Sequence, residues 1–506
     1  MKKYIFISFL ILGGTNMAAQ NMTNYRKQVL EDFEKANRES CSEFMAFKTS
    51  VQKDFDEFRA KANAEFAQYM REAWEKTNQE QPIQPIRIVP SVPPAVFPDF
   101  DDLDFPGDNE IPFADDLIFD WDDEKPLLIP LIEPVRNPES KIIRTYLYGT
   151  ACELHLGAQE KIRMKGSSEK DAADMWEELS SSDYDELLYD CLAIRSEKNL
   201  CDWAYYRLIQ SVSQTIYGYS NEAVVMTAFL MNQSGYRTRL SRGDDERMHL
   251  LLAFDDDIFN TIYYTINGVH YYLTDKSDPE SLYIFKHEFP RERALSLSIT
   301  KEILLDEDFT SVVHLKSRRY PQLDAELFFN KNLLDFYSDY PHPYKRGNNY
   351  SSWAFYAGTE LSMHTKEMLY PVLLRCMAGK TQEDAANMLI NFVQTAFEYK
   401  TDDDYWGYER SFFPEETLFY QFSDCEDRAI LFTRLIRDLL GLDAILLYYP
   451  GHIAAAVEFS EDIPGDYLIL DGGRRFLVCD PTYINATIGM TMPGMDNASA
   501  VVIRLS

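Results

Sequence analysis

Residues 423–429 read SDCEDRA, which sets one thiol, Cys425, among three carboxylates, Asp424, Glu426 and Asp427. Carboxylates beside a thiol hold its proton on and oppose nucleophilic chemistry. Either the thiol is inert or a nearby positive charge cancels that field. The apolar positions Ile430, Leu431, Leu435 and Leu439 follow at helical spacing, so Cys425 opens a helix. A helix N-terminus favours thiolate through its free N–H groups and dipole. Downstream come the strand AILLYY, then Pro450-Gly451-His452, the strand IAAAVEF, a turn at Asp471-Gly472-Gly473, and the strand FLVCDPTY. His452 begins one strand and Asp480 ends another, and antiparallel neighbours bring such positions side by side. An imidazole there takes the thiol proton, and a carboxylate fixes its tautomer. Of the eight histidines, His452 alone follows His364, which makes it the base that nearby sequence can supply. Cys479 adjoins Asp480 in an apolar strand and points to the opposite face, into the core.

The order Cys, helix, Gly, strand, His, strand, Asp-Pro, over about residues 379–485, resembles the transglutaminase-like superfamily of papain-related cysteine enzymes. DCED is similar in particular to the bacterial periplasmic transglutaminase-like peptidases. The resemblance implies Cys425 as nucleophile, His452 as base and Asp480 as orienting acid. It also implies a second oxyanion donor beside the Cys425 N–H, from Trp406 or Gln421, between which the spacing does not choose. In some members acids flanking the cysteine bind calcium, which here points to Asp424, Glu426 and Asp427; no other cofactor is implied. Capping of the helix N-terminus or pairing with Arg428 is the structural alternative for those acids. The expected function is an exported cysteine peptidase or amidase acting on a protein or peptide through a Cys425 thioester. A protein-crosslinking transglutaminase uses the same intermediate, and a non-catalytic binding or scaffold protein is the reading from another class.

The elements that must position these residues fall in four segments after an export signal. Lys2 and Lys3 precede the apolar run Tyr4 to Leu12 and a small-residue stretch ending at residue 20. No cysteine lies near the cleavage point and no later apolar run approaches ~18 residues. A soluble periplasmic or secreted protein is expected. The net charge of −32 argues against nucleic acid or an anionic membrane as partner. Seven cysteines, without a C-x-x-C pair, suggest neither a disulfide scaffold nor zinc, although Cys191 and Cys201 are near enough in sequence to pair.

Residues 21–80 carry aromatics every eleven positions (Phe33, Phe44, Phe55, Phe66, with Phe47, Phe58 and Tyr69 beside them). That period predicts one long helix with a single aromatic stripe, suited to packing or oligomerisation. Residues 81–139 are Pro-rich, then acidic, with twelve acids and no Lys or Arg over 99–124, and read as a linker or a segment covering a cleft. The remainder reads as two copies of one α+β fold, 140–320 and 321–506, each with helices packed on an antiparallel sheet. GSSEKDAADMW (166–176) matches GKTQEDAANML (379–389), and TAFLMNQSGYRTRL (227–240) matches TRLIRDLLGLDAILL (433–447). YLYGT (146–150) and FYAGT (355–359) read as matching strands. Superposing Gly235 on Gly441 sets Tyr219 on Cys425, while His249 and Asp275 fall where His452 and Asp480 do. The first copy thus lacks a nucleophile and is read as degenerate.

Overall fold

The computed structural model describes residues 50, 53–88, 96, 108–119, 133–157, 161–275 and 277–505. The export signal, residues 1–20, and most of the expected long helix lie outside them. The chain divides into two compact units, Met1–Glu65 and Phe66–Ser506. In the first, residues 53–65 are helical, with Lys53–Glu57 and Lys61–Glu65 pairs one turn apart.

Helix α1 covers residues 53–70, and residues 75–78 form strand β1 (Glu75–Asn78). The helix expected over 21–80 therefore stops at Met70. Glu75 to Asn78 pair antiparallel with Ile284 to Ser281, because a free sheet edge offers backbone partners that a polar tetrapeptide has no helical face to outweigh. Of the aromatic stripe, Phe66 is buried against Trp176, Phe285 and Phe289, while Tyr69 stacks on His287.

The second unit continues with β2 (Asp115–Ile118) and the hairpin β3 (Lys141–Leu147)–β4 (Thr150–Leu156). Helices α2 (Glu169–Ser180), α3 (Asp185–Glu197), α4 (Asp202–Tyr217) and α5 (Asn221–Gln233) follow. Then come β5 (Thr238–Arg242), β6 (Met248–Ala253), β7 (Asp257–Ile258), β8 (Tyr263–Ile266), β9 (Val269–Leu273) and β10 (Ser281–Ile284). A second hairpin, β11 (Val313–Lys316)–β12 (Asp324–Leu327), precedes α6 (Lys331–Asp339), β13 (Pro343–Tyr344), α7 (Ser351–Gly358), α8 (Met363–Met377) and α9 (Gln382–Ala396). The last stretch holds β14 (Glu398–Tyr399), α10 (Asp402–Tyr405), α11 (Pro414–Tyr420), β15 (Phe422–Ser423) and α12 (Cys425–Leu440). It ends with β16 (Ala444–Tyr449), β17 (His452–Glu458), β18 (Tyr467–Leu470), β19 (Arg474–Cys479) and β20 (Val501–Arg504).

The result is a mixed α+β protein with two six-stranded sheets, ordered β1-β10-β5-β6-β9-β8 and β18-β19-β17-β16-β20-β2. Apart from the outer strands β1 and β2, the order β10-β5-β6-β9-β8 repeats as β20-β16-β17-β19-β18, with every one of these pairings antiparallel. Each sheet follows a helix that ends in a left-handed glycine, Gly235 after α5 and Gly441 after α12. The matching helix starts at 166–176 and 379–389 are capped alike, by Ser168 on Asp171 N–H and by Thr381 on Asp384 N–H. FYAGT is not a strand: residues 351–358 form α7, which packs on α12. The hairpin β11–β12 straddles the 320/321 boundary, and its Val313, Leu315, Ala325 and Leu327 belong to the core beneath α9 and α12.

The acidic segment is no free linker over 108–119. Strand β2 lies parallel to β20, Ile111 enters the core on the far face of the second sheet, and Asp116 pairs with Arg504. Pairing with a basic residue lets an acid-rich tetrapeptide serve as an edge strand.

Candidate active site

Helix α12 delivers Cys425 as its first residue, with Asp424 at the N-cap in extended conformation. The Asp424 side chain caps no N–H of its own helix. Its inner face, Leu431, Leu435 and Ile436, packs into the core shared with β17 and β19, and this burial fixes the helix over the sheet. The turn at Pro450-Gly451 links β16 to β17 and places Gly451 at φ 83°, a left-handed conformation that glycine adopts freely. It sets His452 as the first residue of β17, opposite Tyr449.

Cys425, His452 and Asp480 are all buried. His452 Nε2 lies 2.8 Å from Asp480 Oδ2. Asp480 is itself held: its Oδ1 accepts the N–H groups of Thr482 (2.9 Å) and Tyr483 (3.2 Å). Its backbone carbonyl accepts Gln394 Nε2 at 3.2 Å, and the same amide reaches the carbonyls of Tyr483 and Ala486. With Nε2 engaged, Nδ1 is the ring nitrogen left for another partner. The backbone N–H of Ile453, the residue after His452, acts on the thiol and lowers its pKa. Glu426 Oε2 is 3.5 Å from that sulfur. Burial, then the charge of Asp424, pushes the thiol pKa well above its ordinary value, and the Ile453 and Glu426 contacts offset only part of this. Cys479 lies in the core with Leu477 and Ala455, as expected of its strand position.

Around the thiol the structure gathers more acid than the local sequence contains. Oxygens of Asp424, Glu426 and Asp427 lie within 4.8 Å of one another, and so do those of Asp402, Glu409 and Glu426. Burial raises the pKa of all five, and the charge of neighbouring acids adds to it for Asp402, Glu409, Glu426 and Asp427, taking Asp402 to about 9 and Glu409 to about 8. Asp427 accepts the Phe412 N–H at 2.8 Å. Asp424 Oδ1, Glu426 Oε1 and Glu409 Oε1 are buried without a hydrogen-bond partner among the described residues. Arg428 does not neutralise the group by a direct pair. Its N–H groups go to Ser423 Oγ and to the carbonyls of Gln394 and Phe397 at the end of α9.

The two oxyanion candidates separate. Gln421 caps α11 in left-handed conformation (φ 58°), is exposed, and uses its carbonyl to accept the Glu398 N–H. Trp406 caps α10, with the Arg410 guanidinium 4.4 Å over its ring and its indole N–H buried without an acceptor among the described residues. Sequence reading missed Tyr399, which β14–β15 pairing sets opposite Ser423. Burial, then the charges of Cys425, Asp424 and Glu426, raises its hydroxyl pKa, so it remains a donor.

In the first half, α5 is three residues shorter than α12 (13 against 16), so the residue at the helix start is Asn221, and Tyr219 stands exposed outside it. The Asn221 amide donates to Glu246 O and accepts the Met248 N–H, stapling the β5–β6 turn. His249 Nδ1 still pairs with Asp275 Oδ2 at 2.9 Å. Cys152, Cys191, Cys201, Cys376, Cys425 and Cys479 are free, so the suggested Cys191–Cys201 pair is not formed. No helix among the described residues is long and apolar enough to cross a membrane. No family model, no curated protein and no solved structure matches this chain.

Proposed function

We propose that the protein is an exported cysteine hydrolase of transglutaminase-like fold that cleaves amide bonds through a Cys425 thioester. The observation that carries this reading is the buried His452–Asp480 hydrogen bond, together with a buried thiol at the start of a helix whose pKa the Ile453 N–H and the Asp480 charge both influence. In this scheme the thiol proton passes to His452 Nδ1 as sulfur bonds the carbonyl carbon. Collapse of the tetrahedral species breaks the C–N bond, and the imidazolium gives its proton to the leaving amine. Water, deprotonated by His452, then attacks the thioester; the C–S bond breaks and the thiol is restored. The resemblance assigns the oxyanion to the Cys425 N–H and to Trp406, whose indole N–H has no acceptor among the described residues.

The residues fit a hard divalent cation such as calcium, because three carboxylate oxygens in the acidic group are buried without partners. Asp424, Glu426 and Asp427, or Glu426 with Asp402 and Glu409, would hold it. Bound there, the cation supplies the positive charge that favours thiolate. The competing reading, a non-catalytic binding protein, is favoured by the raised thiol pKa in the absence of a cation. The shared strand order supports a duplicated fold whose first copy is non-catalytic, with Asn221 where the second has Cys425.

The test is to incubate the full chain with a mixed peptide-amide library in calcium and read covalent acyl adducts on Cys425 by mass spectrometry. Adducts and released amines in wild type, absent in Cys425→Ala, support the proposal. An inert wild type in calcium moves the reading to the binding protein.

A further inference from the structure

Residues 79–88, QEQPIQPIRI, form neither helix nor strand apart from an isolated bridge of Glu80 to Tyr263. Gln79 N–H donates to Glu280 O (2.9 Å) and Glu80 N–H to Tyr263 O (2.8 Å), while Ile83 O accepts the Asn260 N–H (2.9 Å). At the far end Arg87 pairs with Asp403, and Ile88, itself buried, donates its N–H to Glu409 Oε2 at 3.2 Å. Pro82 and Pro85 lack N–H groups and hold the segment extended, so no regular structure competes with these contacts. Pro85 and Ile86 line a hollow with Phe259, His342, Trp353 and Tyr356.

Where this segment ends is the informative point. Glu409 and Glu426 oxygens lie within 4.8 Å of each other, and Glu426 Oε2 is 3.5 Å from Cys425 sulfur. The strap is thus two carboxylates away from the thiol. In the other direction the hollow shares Phe259, Asn260 and His342 with a cleft of about 580 Å³. That cleft shares Thr274, Asp275 and Ser277 with another of about 650 Å³ beside Asn221 and His249. Shared lining residues thus connect a row of cavities from beside Asn221 and His249 to Glu409, and Pro85 and Ile86 form part of the wall of the last and smallest of them.

We propose that residues 79–88 are a built-in occupant of a groove that takes extended, proline-bearing peptides with an apolar side chain followed by a basic one. The segment displays what the groove recognises. Backbone groups of Asn260 and Tyr263 read the main chain, a Pro-Ile pair packs beside the aromatic residues of the hollow, and Asp403 favours the cation after it. The chain's net charge of −32 favours a basic ligand in the same sense. While the strap is seated, an incoming peptide is excluded from this hollow; its displacement frees Glu409, one of the acids beside the buried Cys425. The inference rests on the reading of Cys425 as nucleophile, and the experiment separates the two.

The full chain carrying Ile86→Asp and Arg87→Glu is compared with wild type for the rate of Cys425 carbamidomethylation by iodoacetamide. Arg87→Ala, at an exposed position, covers the case in which the double variant misfolds. The expected result is at least tenfold faster labelling in the double variant and a smaller rise in Arg87→Ala. A synthetic peptide of residues 79–88 slows both again, and a scrambled peptide does not. The proposal is overturned if hydrogen exchange shows residues 79–88 released while labelling stays at the wild-type rate, or if the peptide has no effect. Adding His452→Ala to the released variant distinguishes the premise: labelling that rises on release and ignores His452 keeps the strap and removes the nucleophile.

Discussion

Replacing Gln394 by methionine keeps the length of the side chain and removes its donor. In the wild type, Nε2 donates to the carbonyls of Asp480, Tyr483 and Ala486 at 3.2, 2.8 and 3.1 Å, all from buried surroundings. A buried acceptor left without a donor costs at least ~1 kcal/mol, and two N–H groups shared among three carbonyls are worth about two such bonds; at ~1–2 kcal/mol each that is ~2–4 kcal/mol. For the unit Phe66–Ser506, an unfolding entropy of ~2.1 cal/mol/K per residue converts this into a fall in Tm of ~2–4 °C. Gln394→Glu turns an acceptor toward the same three carbonyls and is worse, in a pH-dependent way. Its carboxyl is held above the unfolded value of ~4.3, because only the protonated form can donate. The extra penalty is therefore absent below about pH 4 and grows by ~1.4 kcal/mol per pH unit until the folded pKa is passed. Scanning calorimetry of wild type, Gln394→Met and Gln394→Glu at pH 5 and pH 8 reads both effects. The glutamate variant should melt near the methionine variant at pH 5 and clearly below it at pH 8. A methionine variant that melts with wild type, or a glutamate variant that tracks it at both pH values, refutes the clamp on the Asp480 loop.

Calcium at 100 times its dissociation constant adds ~2.7 kcal/mol to a protein that binds it only when folded. Wild type should then melt ~3 °C higher than in chelator by the same entropy, and Glu426→Gln should erase the difference; equal melting of wild type in both buffers contradicts the cation site. His342 predicts acid sensitivity: burial pushes its pKa down to about 4, and its Nδ1 lies 2.6 Å from the Tyr356 hydroxyl. The unfolded chain takes up this proton near pH 6.5 and the folded chain does not, so the contribution is complete above pH 6.5. It is lost toward pH 4, by at most ~3.4 kcal/mol. Urea melts at pH 7 and 4.5 should show the loss in wild type and a flatter response in His342→Gln.

The parts of the site that were legible in the sequence are local. Acid-Cys-acid before an apolar periodicity gave the start of α12, Gly441 its end, and Pro-Gly-His the turn that opens β17. Asp480 could be placed because it follows an apolar strand, and β17–β19 pairing does bring it to His452. What sequence could not supply came from pairings between distant segments. Tyr399 meets Ser423 only through the parallel β14–β15 bridge, and Gln394 meets Asp480 only because α9 packs against α12. Asp402 and Glu409 stand in an acid-rich stretch whose composition suggests solvent rather than a buried group beside a thiol. Glu75–Asn78 and Asp115–Ile118 became edge strands because an open sheet edge outweighed weak local preference. The ungapped superposition failed at the start of α5 for a simpler reason: the two helices differ in length, so counting back from the glycine overshoots.

The most direct test of the central claim is the pH dependence of Cys425 alkylation in calcium, measured in the Arg87→Ala background with His452→Ala and Asp480→Asn beside it. An activated thiol labels rapidly well below pH ~8.5, the model thiol value. His452→Ala should remove that limb by at least tenfold, and Asp480→Asn should weaken it. A profile that rises only above pH ~8.5 and is the same in all three proteins would contradict the account.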